Sequence, residues 1–334
     1  MTLAEFIKKD LNPNVAQTAF FLGNGMNNFC ATTSSWKELL IDLAINHIDE
    51  KGDYEKILSD NTVSYPEFFD LIQLSSNVRD ETFDYKSIKK GIRNGFEKWK
   101  PQKTHEIWTE KLIELNRPVL TTNYDYLLEF SNLSIRSYVR KTQYNKRLFR
   151  PQRIKNKDGK VGFSPYYPWH SYYSNRTIEN ANSEFAIWHI HGFYEYASSI
   201  RLGLTDYMGI VEKGRRWLLK STGNPFNKRS ELKKWVGNNS WLDIFLNNHL
   251  VFIGIDLGVQ ETSLRWLLIE REKLFKQYPE TRKKTWFIRN LQYDKMKQGK
   301  RLFFEKLNIE IIDAKDAKQI FETMPKKIKR KGNS

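Results

Sequence analysis

Apolar residues along this 334-residue chain fall into two alternating kinds of run. Short, nearly unbroken apolar stretches lie at 20–22, 118–121, 185–189, 250–254, 285–288 and 309–312. They are rich in aromatic and β-branched residues, and several run into Gly, Asn or Asp, the pattern of buried strands. Between them apolar residues recur at helical spacing. Ser35-Trp36-Lys37-Glu38 has the spacing of a capping box, and Trp36, Leu39, Leu40, Leu43 and Ala44 share one helical face behind it. The stretch from Glu261 to Phe275 predicts a second helix, with Leu264, Leu267, Leu268 and Ile269 as its buried stripe. Strands alternating with helices predict an α/β fold: a Rossmann-like, mainly parallel sheet of about six strands with helices on both faces.

Two stretches break the alternation. Residues 36–110 read as several consecutive helices, too many for one crossover, and predict an inserted helical subdomain. Residues 131–184 are basic, aromatic and Asn-rich with little periodicity, as expected of a functional or partner-binding insertion. The chain then divides into one catalytic domain over 1–325 and a basic tail over 326–334. No internal repeat is present.

Composition narrows the class. An apolar fraction of 40% with 14% aromatic is that of a globular protein. No run approaches the roughly 18 apolar residues of a spanning helix, and the first residues lack a secretory block, so a cytoplasmic protein without membrane contact is expected. Cys30 is the single cysteine; an internal disulfide or a multi-thiolate zinc site is impossible, and no metal ligand set is expected. The net charge of +16 implies anionic partners such as nucleic acid, membrane headgroups or nucleotides. Much of the excess sits at 140–160, 213–216 and 326–331, which could equally be solvated surface.

The residues with chemistry lie at the ends of the predicted strands, the edge where open α/β sheets bind ligands. Gly23-Asn24-Gly25 follows the first and could bring backbone close to a pyrophosphate, or merely turn the chain. Thr121-Thr122-Asn123-Tyr124-Asp125 follows the second. Asn123 could hold a water or a ribose hydroxyl and Asp125 accept from a carboxamide, or the pair could turn the chain and cap the next helix. His189 and His191, two apart, suit a metal pair, a catalytic base, or one core and one surface histidine, and Gly192 points to close ligand approach at His191. Gly254 and Asp256 follow the fourth strand, where the carboxylate could bind ribose or cap a helix near Gln260.

The order of these motifs resembles the sirtuins, over roughly residues 15 to 315. There the second motif reads TQNID, and TTNYD looks like its counterpart. The resemblance implies that Asn123 positions the water or ribose at the reacting carbon, that Asp125 faces the nicotinamide carboxamide, and that His191 acts as general base or ribose partner. It places Gly23, Asn24 and Gly25 at the pyrophosphate, and Gly254 and Asp256 near the adenosine ribose. The chain departs from deacetylating sirtuins in lacking their four zinc cysteines and their GIPDFR-like segment. Asn24 stands for the usual alanine and Asp256 for a serine. The pattern is closer to the zinc-free sirtuin-like domains of bacterial antiphage defence. That likeness implies NAD as substrate, no zinc, and a separate partner, whether a translocase-type ATPase, an Argonaute or a sensor protein. A homo-oligomer and nucleic-acid contact through the basic segments are also expected. The alternatives are a module that binds NAD or ADP-ribose without hydrolysis and, disfavoured by the missing cysteines, a protein deacetylase.

Overall fold

In the computed structural model the six apolar runs become the six strands of one sheet. Residues 1–30, 35–48, 52–60, 62–75, 98–141, 152–153, 169–219 and 235–330 are described, together with Lys89, Ile92 and Phe96. The strands are β1 (Thr18–Leu22), β2 (Val119–Thr121), β3 (Gln152–Arg153), β4 (Ser171–Tyr172), β5 (Ile187–His189), β6 (His249–Ile253), β7 (Thr285–Asn290) and β8 (Ile309–Ala314). β3 and β4 form a separate antiparallel pair, and the other six lie in the order β5-β2-β1-β6-β7-β8. Every pairing in that sheet is parallel. After β1 the chain builds outward through β2 and β5, then returns to build β6, β7 and β8 on the other side. The crevice of such a doubly wound sheet opens where the two directions part, above β1 and β6.

The central strands are buried along their whole length, as their unbroken apolar sequences require. Alternate residues feed two core layers. Phe20, Leu22, Val251 and Ile253 pack with the amino-terminal helix Leu3–Phe6 and the helix Lys103–Leu115, whose Trp108 meets the Phe20 ring edge-on. Ala19, Phe21, Leu250 and Phe252 pack against the helices Leu204–Leu219, Trp241–Asn247 and Thr262–Gln277. β7 and β8 run two residues past their apolar stretches because they pair to the end, and Arg289 Nε lies 2.7 Å from Asp313 Oδ1 across the pair. In the helix Thr262–Gln277 the buried stripe is Leu264, Leu267, Leu268, Arg271, Glu272 and Phe275. Ile269, expected in it, is off that i, i+3, i+4 face and is exposed.

At the amino edge of the sheet Arg117 closes the bottom, donating to the Thr18 carbonyl at 2.9 Å and to Asn182 O and Asn248 Oδ1 at 2.7 Å each. The opposite edge is left for a site.

Helices Trp36–His47, Tyr54–Ser59 and Tyr65–Ser75 follow β1, and the first opens on the expected Ser35–Glu38 capping box. They form a cover over the carboxyl edge, tied down by Tyr65 N donating to Gln260 Oε1 at 2.6 Å and by Leu204 N donating to Asp70 Oδ2 at 3.0 Å. Lys103–Leu115, the last helix of the 36–110 stretch, packs on the sheet instead. Among the described residues of 131–184, Trp169, Tyr172 and Tyr173 are core: Trp169 stacks on Trp241 at 4.4 Å, and both tyrosines are buried. Most of the basic run 140–160 lies outside the described residues. Of the others, 213–216 sits on the helix Leu204–Leu219, where Arg216 pairs with Glu212. At the carboxyl end Ile328 is fully buried, so packing continues past Pro325 into the basic stretch. Among the described residues no helix is long and apolar enough to cross a membrane.

Candidate active site

The turns that follow β1 and β6 touch backbone to backbone. Gly23 N donates to Ile253 O at 2.9 Å, and Gly25 N to Gly254 O at 2.7 Å. A Cβ on Gly25 would lie 2.7 Å from Gly254 Cα, and one on Gly23 2.6 Å from Gly254 O. Only glycine allows the two turns to cross at the switch point, and Gly254 itself has φ +67°. Gly23 therefore serves this crossing and does not line the cavity above it, whereas Asn24, Gly25 and Gly254 do.

Across the crevice the TTNYD turn is fixed by its own hydrogen bonds. Asn123 N donates to Thr121 Oγ1 at 3.0 Å, and Leu127 N to Asp125 Oδ1 at 3.0 Å, so Asp125 starts the helix Leu127–Phe130. The other oxygen, Oδ2, accepts from Asn27 Nδ2 at 2.8 Å. Asn27 is held in turn: its Nδ2 also donates to Asn24 Oδ1 at 2.9 Å, and its Oδ1 lies 3.0 Å from His105 Nε2. Because His105 Nδ1 accepts from Gln102 N at 3.0 Å, the ring proton must sit on Nε2 and point at Asn27. Burial lowers the His105 pKa to about 4, so the ring is neutral. Burial pushes Asp125 up to about 6. This chain of amide, imidazole and carboxylate joins the β1 turn to the β2 turn and uses both Asp125 oxygens. The Asn123 side chain is different: it lines the cavity, half-buried, and its amide makes no hydrogen bond among the described residues.

The two histidines part company. His189 is buried behind the turn, with Nε2 2.7 Å from Glu129 Oε1 and Nδ1 2.7 Å from the Asn123 carbonyl oxygen. Burial works against its charge, but the Glu129 carboxylate outweighs that and its pKa lies above the ordinary value. His191 lines the cavity, with Ser263 Oγ 3.4 Å from its Nε2 and the Tyr207 ring edge-on at 5.1 Å. Burial, reinforced by Arg201, draws its pKa to about 3. Gly192, read from sequence as a site of ligand approach, has another cause: φ is +90°, and a Cβ would lie 2.1 Å from the Ser199 carbonyl oxygen.

Asp256 also departs from expectation. It is exposed at the mouth, and its Oδ1 accepts from Lys300 Nζ at 2.7 Å, while Lys300 is also 2.9 Å from Asp294 Oδ2. The carboxylate is thus engaged by a lysine, and the N-cap of the following helix is Glu261. Glu261 lines the cavity, and burial, with Asp256 adding to it, raises its pKa to about 7. The sequence pattern shows it only as the first residue of a helix; a carboxylate closing a strand-tip loop was the available signal. Beside it half-buried Tyr124 and buried Tyr207 line the cavity, and burial of their hydroxyls, then charge, drives both pKa values well upward. Arg265 completes this wall, stacked 3.6 Å over the Phe303 ring.

The cavity so enclosed holds about 1280 Å³, above the usual small-ligand range and long enough to cross the switch point. Asp125, His191 and Glu261 line it, and so do the cations Arg265, Lys295, Lys297 and Lys300. The helical cover contributes Trp36, Leu39 and Tyr65 as an apolar roof. Among the described residues no group of three or more His, Cys, Asp or Glu could hold a metal ion.

A family model described as SIR2-like domain matches residues 117–312. It takes in β2 through the first four residues of β8 and leaves out the β1 glycine turn and the helical cover, which also line the cavity. A search of the curated proteins finds no significant match. With more than half of its length matched, this chain belongs to the SIR2-like family, whose members use NAD.

Proposed function

We propose that the cavity binds NAD and that the protein hydrolyses it to nicotinamide and ADP-ribose. The observation that carries this reading is the Asn123 amide, without a partner among the described residues at the tip of β2 and sharing the cavity with a glycine crossing in a SIR2-like chain. A dinucleotide laid across the switch point has its pyrophosphate over the Gly25–Gly254 backbone and its phosphate charge toward Arg265 and Lys300. Its cationic nicotinamide ring then lies at the end that holds Asn123 and His191. Nicotinamide leaves as a neutral molecule, so no acid is needed to expel it. The site must steady an oxocarbenium-like ribose and aim a water at it. Asn123 supplies a positioned hydrogen bond, and neutral His191 can accept one from a ribose hydroxyl.

Unrestrained loss of NAD would kill a host cell. We therefore also propose that the enzyme is the toxic effector of an antiphage system, with a low basal rate that a separate ATPase, Argonaute or sensor protein raises. The basic segments are the surfaces offered to that partner or to nucleic acid. The direct test of the reaction is purified protein incubated with NAD and assayed for free nicotinamide and ADP-ribose. Release by the parent and not by Asn123→Ala supports it; binding of NAD with no turnover under any condition favours the binding module instead.

A further inference from the structure

Glu261 ends the loop from β6 at the N-cap position of the helix Thr262–Gln277, yet its side chain makes no capping hydrogen bond. Its Oε2 is buried and has no hydrogen-bond partner, and no cation pairs with it among the described residues. Glu261 as a whole is half-buried, but a carboxylate oxygen withdrawn from water without donors is costly, and a native structure keeps such a group for a reason. Among the described residues no structural duty accounts for this one: it caps nothing, bridges nothing and lines the cavity. The same helix end reaches the proposed reaction site, since Ser263, two residues on, lies 3.4 Å from His191 Nε2.

We propose that Glu261 is a catalytic carboxylate of this chain, the group that takes a proton from the water attacking the ribose C1′. The inference rests on the NAD-hydrolysis reading above. In the step, the water oxygen bonds to C1′ and one of its protons passes to Glu261. The bond from C1′ to the nicotinamide nitrogen breaks, and its electron pair neutralises the pyridinium. Glu261 then returns the proton to solvent. The products are nicotinamide, ADP-ribose and one proton, which balances NAD plus water.

The other titratable groups of the pocket are poorly placed for this. Both Asp125 oxygens already accept hydrogen bonds, and His189 is held between Glu129 and the Asn123 carbonyl. His191 has little affinity for a proton at about 3. Glu261, raised to about 7, is ionised in part at neutrality and basic enough to hold the proton it takes. The groups facing it are Asp256 from its own loop, Tyr124 from the β2 turn, Tyr207 from the helix Leu204–Leu219 and His191 beyond β5. Asp256 opposes ionisation of Glu261, while burial favours the neutral forms of Tyr124, Tyr207 and His191.

The test is NAD turnover by the full chain from about pH 5 to about pH 9, comparing the parent with Glu261→Gln and Glu261→Asp. The parent rate is expected to rise through a limb near 7, and Glu261→Gln to lose the limb and roughly 10²–10⁴ in kcat with little change in KM. Glu261→Asp should recover part of the rate and keep a limb. A Glu261→Gln protein with the parent's kcat and limb overturns the proposal while leaving NAD hydrolysis intact. A parent that never releases nicotinamide overturns the hydrolysis reading itself. Carboxyl NMR titration of Glu261, assigned through the Gln variant, decides independently of turnover: a midpoint near 7 supports the role, and one at the ordinary glutamate value of 4.5 contradicts it.

Discussion

His189 Nδ1 lies 2.7 Å from the main-chain carbonyl oxygen of Asn123, so the imidazole holds by its backbone the residue whose side chain faces the cavity. Its other nitrogen is anchored on Glu129, which is buried with it. The histidine that does not touch the cavity thus positions the asparagine that does.

That relationship gives His189→Ala a predicted cost in stability. His189→Ala leaves Glu129 buried and unpaired, which should cost about 3–5 kcal/mol and loosen the turn as well. Equilibrium urea denaturation reads the loss. Should His189→Ala melt like the parent, the Glu129 pair is not holding the turn.

Glu261 and Asp125 make stability depend on pH with a defined sign. The folded Glu261 value of about 7 exceeds the ordinary 4.5, so the fold favours the protonated acid. The stability it contributes is complete below 4.5 and is lost as pH rises through about 7. Asp125, raised from 3.8 to about 6, acts in the same direction at lower pH. Glu261→Gln mimics the protonated acid and should match the parent at acid pH but exceed it above neutrality, by on the order of 2 kcal/mol. Urea melts at two pH values check this, and a Gln variant with no alkaline advantage would mean that the ionised carboxylate finds solvation in the fold.

Gly192 should be needed for folding and not for ligand. Gly192→Ala places a Cβ 2.1 Å from the Ser199 carbonyl at a φ of +90°. A destabilisation of roughly 2 kcal/mol or more follows, with or without NAD present. If the variant keeps the parent's melt and loses only NAD affinity, the glycine serves the ligand after all.

Truncation separates packed from unpacked basic residues at the carboxyl end. Ending the chain after Pro325 removes the fully buried Ile328 and should cost about 2–4 kcal/mol, whereas ending it after Arg330 keeps Ile328 in place and should leave the melt unchanged. Equal melting of the two shortened proteins would contradict the packing of Ile328.

The sheet was legible because strands buried on both faces must be apolar throughout; TAFFL and HLVFI could be little else. Their polar extensions, Arg289 and Asp313, were not, because the ion pair that supports them forms only between neighbouring strands. The same division runs through the site. Asn123, His191 and the glycine turns stand out because they interrupt apolar runs at strand tips. Glu261 does not, since an acidic residue opening a helix is ordinary, and only its buried Oε2, without a partner among the described residues, sets it apart. The duty of Gly192 and the lysine partner of Asp256 were hidden for a related reason: Ser199 and Lys300 are 7 and 44 residues away in sequence. The aromatic residues of 131–184 suggest a partner surface until Trp169 is seen stacked on Trp241.

The most direct test of the central claim is nicotinamide release from NAD by the parent and by Asn123→Ala, with circular dichroism and a urea melt on both. The Asn123 amide makes no hydrogen bond among the described residues, so its removal should leave the melt unchanged. The account predicts that the parent releases nicotinamide and that Asn123→Ala does so roughly 10²–10³ more slowly at equal stability. Release at the parent rate by a folded Asn123→Ala protein would contradict it.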